Sequence, residues 1–245
     1  MKKLLLLLIP LLPSIIFSQT PDSSGTRKFA IGLVFSPDYC YRTLKPDGAA
    51  MSQYIAKNRD STELPRIGFT TGLSFLYQLK KRFTLESGLL FSDNGEQTKN
   101  TALIFGTGLN GQPGVSDPVT NKFIYHYKYL DIPLKVNYAL LTKRLSIFLS
   151  GGLSANFFIT ETNTSIQTYS DGHTTTSSST SRSGSGLSAL NLAFVAGAGV
   201  SYNLSGKLAL RVEPVYRRSI TSIIDAPVKG YLYSAGLNMG IYYRF

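Results

Sequence analysis

The chain has 245 residues, with 25 Lys and Arg against 14 Asp and Glu and a formal net charge of +11. Only 16 % of residues are charged, against roughly 25 % in ordinary soluble domains, while 43 % are hydrophobic and Gly reaches 22, Tyr 15 and Phe 14. That balance excludes general disorder, and the one cysteine, Cys40, excludes an intrachain disulfide framework and a four-thiolate metal site.

Lys2 and Lys3 precede an apolar run from Leu4 to Phe17, broken by Pro10 and Pro13. A bilayer-spanning helix takes about 20 apolar residues, so this run has the layout of a secretory signal peptide instead. Residues 1–19 are expected to be the signal, cleaved near Ser18 or Gln19, and 20–245 a single exported domain. A lipid-anchored form needs a cysteine just after the apolar run, and Cys40 comes too late. No later apolar run is long enough for a membrane helix.

Beyond the signal, apolar and small or polar residues alternate with period two, the mark of a half-buried strand. The first run is Phe29, Ile31, Leu33 and Phe35, interleaved with Gly32 and Ser36. The second is Ile67 to Tyr77, interleaved with Gly68, Thr70, Gly72 and Ser74. The third sets Phe83, Leu85, Leu89 and Phe91 against Thr84, Glu86, Gly88 and Ser92. In the fourth, Leu130, Ile132, Leu134, Val136 and Tyr138 oppose Asp131, Lys135 and Asn137. The fifth opposes Leu145, Ile147, Leu149, Leu153 and Phe157 to Ser150, Gly152 and Asn156. The sixth opposes Leu190, Leu192, Phe194, Val200 and Tyr202 to Asn191, Gly197, Gly199 and Ser201. The seventh opposes Leu208, Leu210, Val212 and Tyr216 to Arg211, Glu213 and Arg217. The eighth opposes Tyr233, Leu237, Met239, Ile241, Tyr243 and Phe245 to Asn238, Gly240 and Arg244. Pro133 and Pro214 each remove a ladder donor, so bulges or bends are expected at both.

The connections alternate in length: long from Pro37 to Pro65, short at Leu79–Lys81, long from Asn94 to Asn121, short at Leu141–Lys143, long and Ser/Thr-rich from Thr160 to Gly186, short at Leu204–Gly206, and medium from Ile220 to Gly230. Several strands are long enough for a tilted membrane crossing, which takes about 9–11 residues. Strand number, strand length and loop alternation together predict an all-β fold, an eight-stranded antiparallel transmembrane β-barrel with short periplasmic turns and long extracellular loops. In lipid the apolar face points outward and the sheet closes on itself to satisfy its backbone. Tyr77, Phe83, Tyr138, Tyr202, Tyr243 and Phe245 are expected to form a periplasmic aromatic girdle. Tyr125, Tyr127, Tyr129, Tyr216, Tyr231 and Tyr233 are expected to contribute to the outer one. The third long loop is expected to be mobile.

The mature chain also resembles the PorT-like group of small outer-membrane β-barrel domains common in Bacteroidetes. The likeness rests on Tyr129-Leu130-Asp131-Ile132-Pro133-Leu134-Lys135 in the fourth strand, on Phe69-Thr70-Thr71-Gly72-Leu73 leading to Leu85-Glu86-Ser87-Gly88-Leu89-Leu90-Phe91, and on the terminal Tyr242-Tyr243-Arg244-Phe245. It implies an outer-membrane location and, through the terminal aromatic, recognition by the barrel-assembly machinery. It implies no single activity; some relatives take part in secretion or gliding machinery.

Eight strands enclose a space that side chains can fill, and a buried charge is tolerated only when paired. Glu86, Asp131, Lys135, Asn137, Arg211, Glu213, Arg217, Asn238 and Arg244 are therefore expected to form a polar network in the lumen. An enzyme is not expected: only His126 and His173 are present, and no sequence signal joins His126 to Glu86 or Ser92. No cofactor or metal is expected, since two histidines and one cysteine form no known ligand spacing and no helix follows the glycines. Lys80, Lys81, Arg82, Lys143, Arg144 and Lys207 cluster at the short turns and suit anionic headgroups. The expected partners are outer-membrane lipid and lipopolysaccharide, with a protein or glycan at the outer loops. Nucleic acid is excluded by export, and a monomer is expected. The leading expectation is a scaffold presenting its outer loops; the alternatives are a narrow channel or secretion-system component, and an outer-membrane enzyme acting on lipid or peptide.

Overall fold

A computed structural model describes residues 28–103, 118–142, 144–182 and 186–245; the expected signal segment and Lys143 lie outside them. The elements run β1 (Phe29–Pro46), α1 (Ala50–Thr62), β2 (Glu63–Lys80), β3 (Phe83–Thr98), β4 (Thr101–Ala102), β5 (Pro118–Thr142), β6 (Leu145–Tyr169), β7 (Thr174–Ser181), β8 (Leu190–Asn203), β9 (Leu208–Ser219) and β10 (Val228–Arg244). No helix among the described residues is long and apolar enough to cross a membrane.

Every pairing is antiparallel, and eight strands follow one another as β1-β2-β3-β5-β6-β8-β9-β10. The last pairs with the first, from Ala30 opposite Arg244 to Pro46 opposite Val228. The result is an eight-strand hydrogen-bonded ring in an all-β fold. β4 and β7 lie outside the ring, as short additions to the extended ends of β5 and β6.

The period-two pattern fixes which side of the ring each residue occupies. Leu134 is 57 % exposed and Leu149 48 %, both on the outer wall with Leu33, Leu89, Phe194 and Ile241. Ser74, Glu86, Lys135, Ser150, Arg211 and Glu213 are buried inside. Small apolar groups sit among them: Val34, Leu90 and Tyr242 form one cluster, with Leu76 against it.

Three expectations need correction. Tyr127 and Tyr129 do not join an outer girdle; they are 4 % and 1 % exposed and pack inside with Ile223 and Leu232. They share the parity of Asp131, which faces the interior. Pro133 and Pro214 cause no bulge. Ser87 opposite Leu134 and Leu90 opposite Asp131 keep one register across Pro133, and Gly197 opposite Val215 and Val200 opposite Val212 keep one across Pro214. Shifts fall elsewhere, as at Lys128/Tyr129 and Pro65/Phe69. Finally, the Ser/Thr-rich segment is ordered as a hairpin: β6 runs on to Tyr169 and β7 returns along it, with Thr162 bonding Thr180 and Thr164 bonding Ser178.

Placing a charge on the outer wall tests the sidedness. Leu134→Arg or Leu149→Arg is expected to destabilise the protein in a bilayer by about 2–4 kcal/mol, read as reduced folded protein in membranes. Accumulation equal to the parent contradicts the assignment of faces.

Candidate functional site

The ring interior is a stack of charged layers. Nearest the short turns, Lys135 Nζ sits 2.9 Å from Glu86 Oε1 and 3.2 Å from Glu213 Oε2. Arg211 donates to Glu86 Oε2 at 3.2 Å and to Asn137 Oδ1 at 3.4 Å, and Asn137 donates to Glu86 at 2.9 Å. Ser150 donates to Glu213. The Arg211 guanidinium lies 4.1 Å from the Phe148 ring centre and 5.2 Å from that of Tyr242. The four charges come from β3, β5 and β9, so the layer bridges the lumen. Gly197 makes room for it, since a Cβ there would lie 2.7 Å from Glu213 Oε1.

The next layer centres on Asp38. Its carboxylate accepts from Ser36 at 2.7 Å, Thr70 at 2.5 Å and Arg217 at 2.9 Å. Arg217 also donates to Asn238 at 3.0 Å. Gly236 is required here: a Cβ would stand 1.8 Å from Asp38 Oδ1. Asp131 is buried nearby, hydrogen-bonded to Ser92, with its Oδ1 unpartnered among the described residues. Between the two layers remains a cavity of about 30 Å³, touched by both Glu86 and Arg217. That holds a water or two.

Of the residues expected in the lumen, Glu86, Lys135, Asn137, Arg211 and Glu213 meet in one layer and Arg217 and Asn238 in the other. Asp131 lines the small cavity between the layers with no ion pair among the described residues, and Arg244 stands apart at the short-turn mouth. The aromatics expected near the short turns sit on the outer wall there. Phe83 and Tyr138 are 5.0 Å apart, Tyr243 and Phe245 5.1 Å, and Tyr77 and Tyr202 are exposed beside them.

A further cluster, unexpected from sequence, lies beyond the apolar outer band that ends near Tyr39 and Phe91. Arg42 bonds Asp60 of α1 and Glu63, with Nε 2.8 Å from Glu63 Oε2. Arg59 reaches Glu63 at 2.7 Å and Glu96 at 3.3 Å. Tyr127 donates to Glu96 at 3.0 Å. Arg59 is directed mainly at Glu63, and Glu96 Oε2 has no partner among the described residues. Burial, and then the neighbouring Glu63 carboxylate, push the Glu96 carboxyl up to about 7 against the attraction of Arg59 and Arg42. Beside this cluster Asp93 is gripped by Arg66 at 2.9 Å and by His126 Nδ1 at 2.9 Å. His173 lies in the β6–β7 turn, its backbone N–H bonded to Asp171.

Above these clusters, α1 turns Ser52 and Ala56 inward and leaves Met51, Tyr54 and Ile55 exposed, the first two at 69 % and 68 %. Positions three and four apart share one helix face, so this is a small apolar stripe. Among the described residues no group of three or more His, Cys, Asp or Glu is placed to hold a metal.

The family model described as "Outer membrane protein beta-barrel domain" matches residues 17–225. The chain belongs to this family, and its place is the outer membrane. Among solved structures it is similar to Neisserial surface protein A (15 % identity, 89 % of this chain and 97 % of that chain covered, TM-score 0.45). It is also similar to OprG from Pseudomonas aeruginosa (15 %, 89 % and 95 %, 0.44) and to the outer-membrane protease OmpT from Escherichia coli (10 %, 93 % and 98 %, 0.44). No curated protein matches.

Two outcomes follow. Lys135→Met leaves buried Glu213 without an ion pair and Glu86 with Arg211 alone, and is expected to lower the unfolding free energy by about 3–5 kcal/mol, measured by urea titration with the gel shift between folded and unfolded forms; a loss below about 1 kcal/mol removes the layer from the stability account. For Glu96, whose proton is held more tightly in the fold than in the unfolded chain, stability falls as pH rises from about 4.5 through about 7. Glu96→Gln is expected to flatten that slope, on the order of 3 kcal/mol at most. Parallel profiles for variant and parent refute the raised carboxyl.

Proposed function

We propose that the chain is an eight-stranded antiparallel transmembrane β-barrel, with short periplasmic turns and long extracellular loops, that acts as a non-enzymatic scaffold presenting its outer end to a partner. The observation that carries this reading is a contrast: bonded charges fill the ring interior, while the outer end is built out into α1 and the β5–β7 extension. A filled interior argues against a channel, and an exposed apolar stripe argues for a contact surface. The partner fitting Met51, Tyr54 and Ile55 is a protein with an apolar patch. Residues 1–19 act as a cleaved signal and 20–245 as the domain. The aromatics at the short turns belong to the periplasmic interface, and the terminal Phe245 suits the assembly machinery. Lipid and lipopolysaccharide surround a monomer. The finer kinship, with PorT-like barrels of Bacteroidetes, rests on Tyr129 to Lys135.

The enzyme alternative draws on one observation, the Asp93–His126 pair. It lacks a nucleophile: Ser92 accepts from Asn94 at 3.1 Å rather than serving His126, and Arg66 already neutralises Asp93. The pair reads as a structural bridge.

The reading is tested by replacing Tyr54 with a photo-crosslinking amino acid and irradiating intact cells. One discrete adduct is expected, lost when Met51→Ser and Ile55→Ser are added. A diffuse set of adducts indifferent to those changes, or an adduct formed only after the envelope is permeabilised, overturns it.

A further inference from the structure

The short-turn mouth of the ring opens into a cavity of about 520 Å³, within the size range of small-molecule sites. Lys28, Lys81, Arg211 and Arg244 line it, and no carboxylate does. Neutral donors such as Gln78, Thr84 and Ser201 complete the wall. The cavity is blind, because its inner limit is the layer in which Arg211 is held by Glu86 and Asn137.

Its rim cations differ from Arg211, which Glu86 holds: among the described residues Lys28, Lys81 and Arg244 have no ion pair, whereas Lys135, Arg211 and Arg217 deeper in the interior each have one. Arg244 is half-buried and lines the same cavity as a second guanidinium, Arg211. Like charges converging on a partly desolvated space raise its potential and concentrate anions there.

Neighbouring cations behave differently. Arg82 donates to the Tyr138 hydroxyl at 3.4 Å, and the Arg144 guanidinium lies 5.4 Å from the Tyr202 ring centre. Both sit on the outer wall, where headgroups reach them, whereas the cavity group faces the lumen.

We propose that this cavity binds a phosphate-bearing anion, gripped by Lys28, Lys81 and Arg244 around the rim with Arg211 at the floor. Planar guanidinium forks fit phosphate oxygens in pairs, and lysine supplies a compact point charge. The volume admits a phosphate together with a small carrier group. The chemistry does not depend on which compartment the mouth faces, so this proposal and the scaffold reading fail independently.

The test uses the folded full-length protein in phosphatidylcholine nanodiscs, titrated calorimetrically with tripolyphosphate. Saturable binding is expected, weakened at least tenfold in Lys28→Gln/Arg244→Gln and unchanged in Arg144→Gln. The heat-dependent gel shift verifies that each variant is folded, and Lys81→Gln, at an exposed turn, gives a second reading should the double variant fail to fold. Repeating the titration in phosphatidylglycerol nanodiscs separates the sources. Binding retained there identifies a soluble phosphate compound, and binding blocked there, only while Lys28 and Arg244 are present, identifies a lipid phosphate in the same seat. Absence of saturable binding by the parent, or equal loss in Arg144→Gln, overturns the proposal.

Discussion

The pairing of β1 with β10 is the interaction on which everything else depends. Within hydrocarbon a backbone N–H or C=O finds no water, and each unsatisfied group costs several kcal/mol. An eight-strand sheet left open would present two full edges of such groups. The register from Ala30–Arg244 to Pro46–Val228 removes both. Once the ring closes, alternation leaves no choice about the side chains: odd positions of β1 face the outer wall, and even positions from Ala30 to Arg42 face the interior.

Closure also determines the character of the interior. The enclosed space is too narrow to stay broadly hydrated, so charges in it must find one another. Lys135 between Glu86 and Glu213, and Arg217 on Asp38, are consequences of that confinement. Carboxylates need room as well as partners, and glycine supplies it at Gly197 and Gly236. A methyl group at either position collides with the very oxygen that anchors its layer. Glycine within these strands therefore serves the packing of the polar core, despite weakening the strand itself.

Much of this was readable in the sequence because strand parity is a local property. The inward set Glu86, Lys135, Arg211 and Glu213 follows from alternation alone, and parity carried through Pro133 and Pro214 because the missing donors fall where the ladder omits a pair, with no change of register. What escaped lies where local cues mislead. Pro37 suggested that β1 ends, yet Tyr39 and Tyr41 continue to alternate with Asp38, Cys40 and Arg42, and extending that pattern would have found Asp38. Tyr127 and Tyr129 were drawn outward by aromatic preference for interfaces, although they share the parity of Asp131. The Ser/Thr-rich run lacks apolar periodicity, so its hairpin is visible only through cross-strand bonds. Helix α1 has a weak sequence signature, with no side-chain cap at Ala49, and its seat on β1 and β2 depends on Arg42 and Glu63 meeting across strands.

The two ends of the ring resolve the same excess of positive charge in opposite ways. At the outer end, Arg42, Arg59 and Arg66 are matched by Asp60, Glu63, Glu96 and Asp93, to the point that two carboxyls crowd one site and the Glu96 carboxyl is pushed up to about 7. Within that cluster carboxylates outnumber guanidiniums, and the surface above it on α1 is apolar. At the short-turn end the cavity beyond the Glu86–Glu213 layer is lined, among the described residues, by cations, hydroxyls and amides and by no acidic side chain. Lipid, solvent ions or a bound anion can meet that local excess of positive charge from outside. The protein is thus polarised along its axis, with an apolar contact face at one end and an unneutralised basic cavity at the other, separated by layers of paired charge.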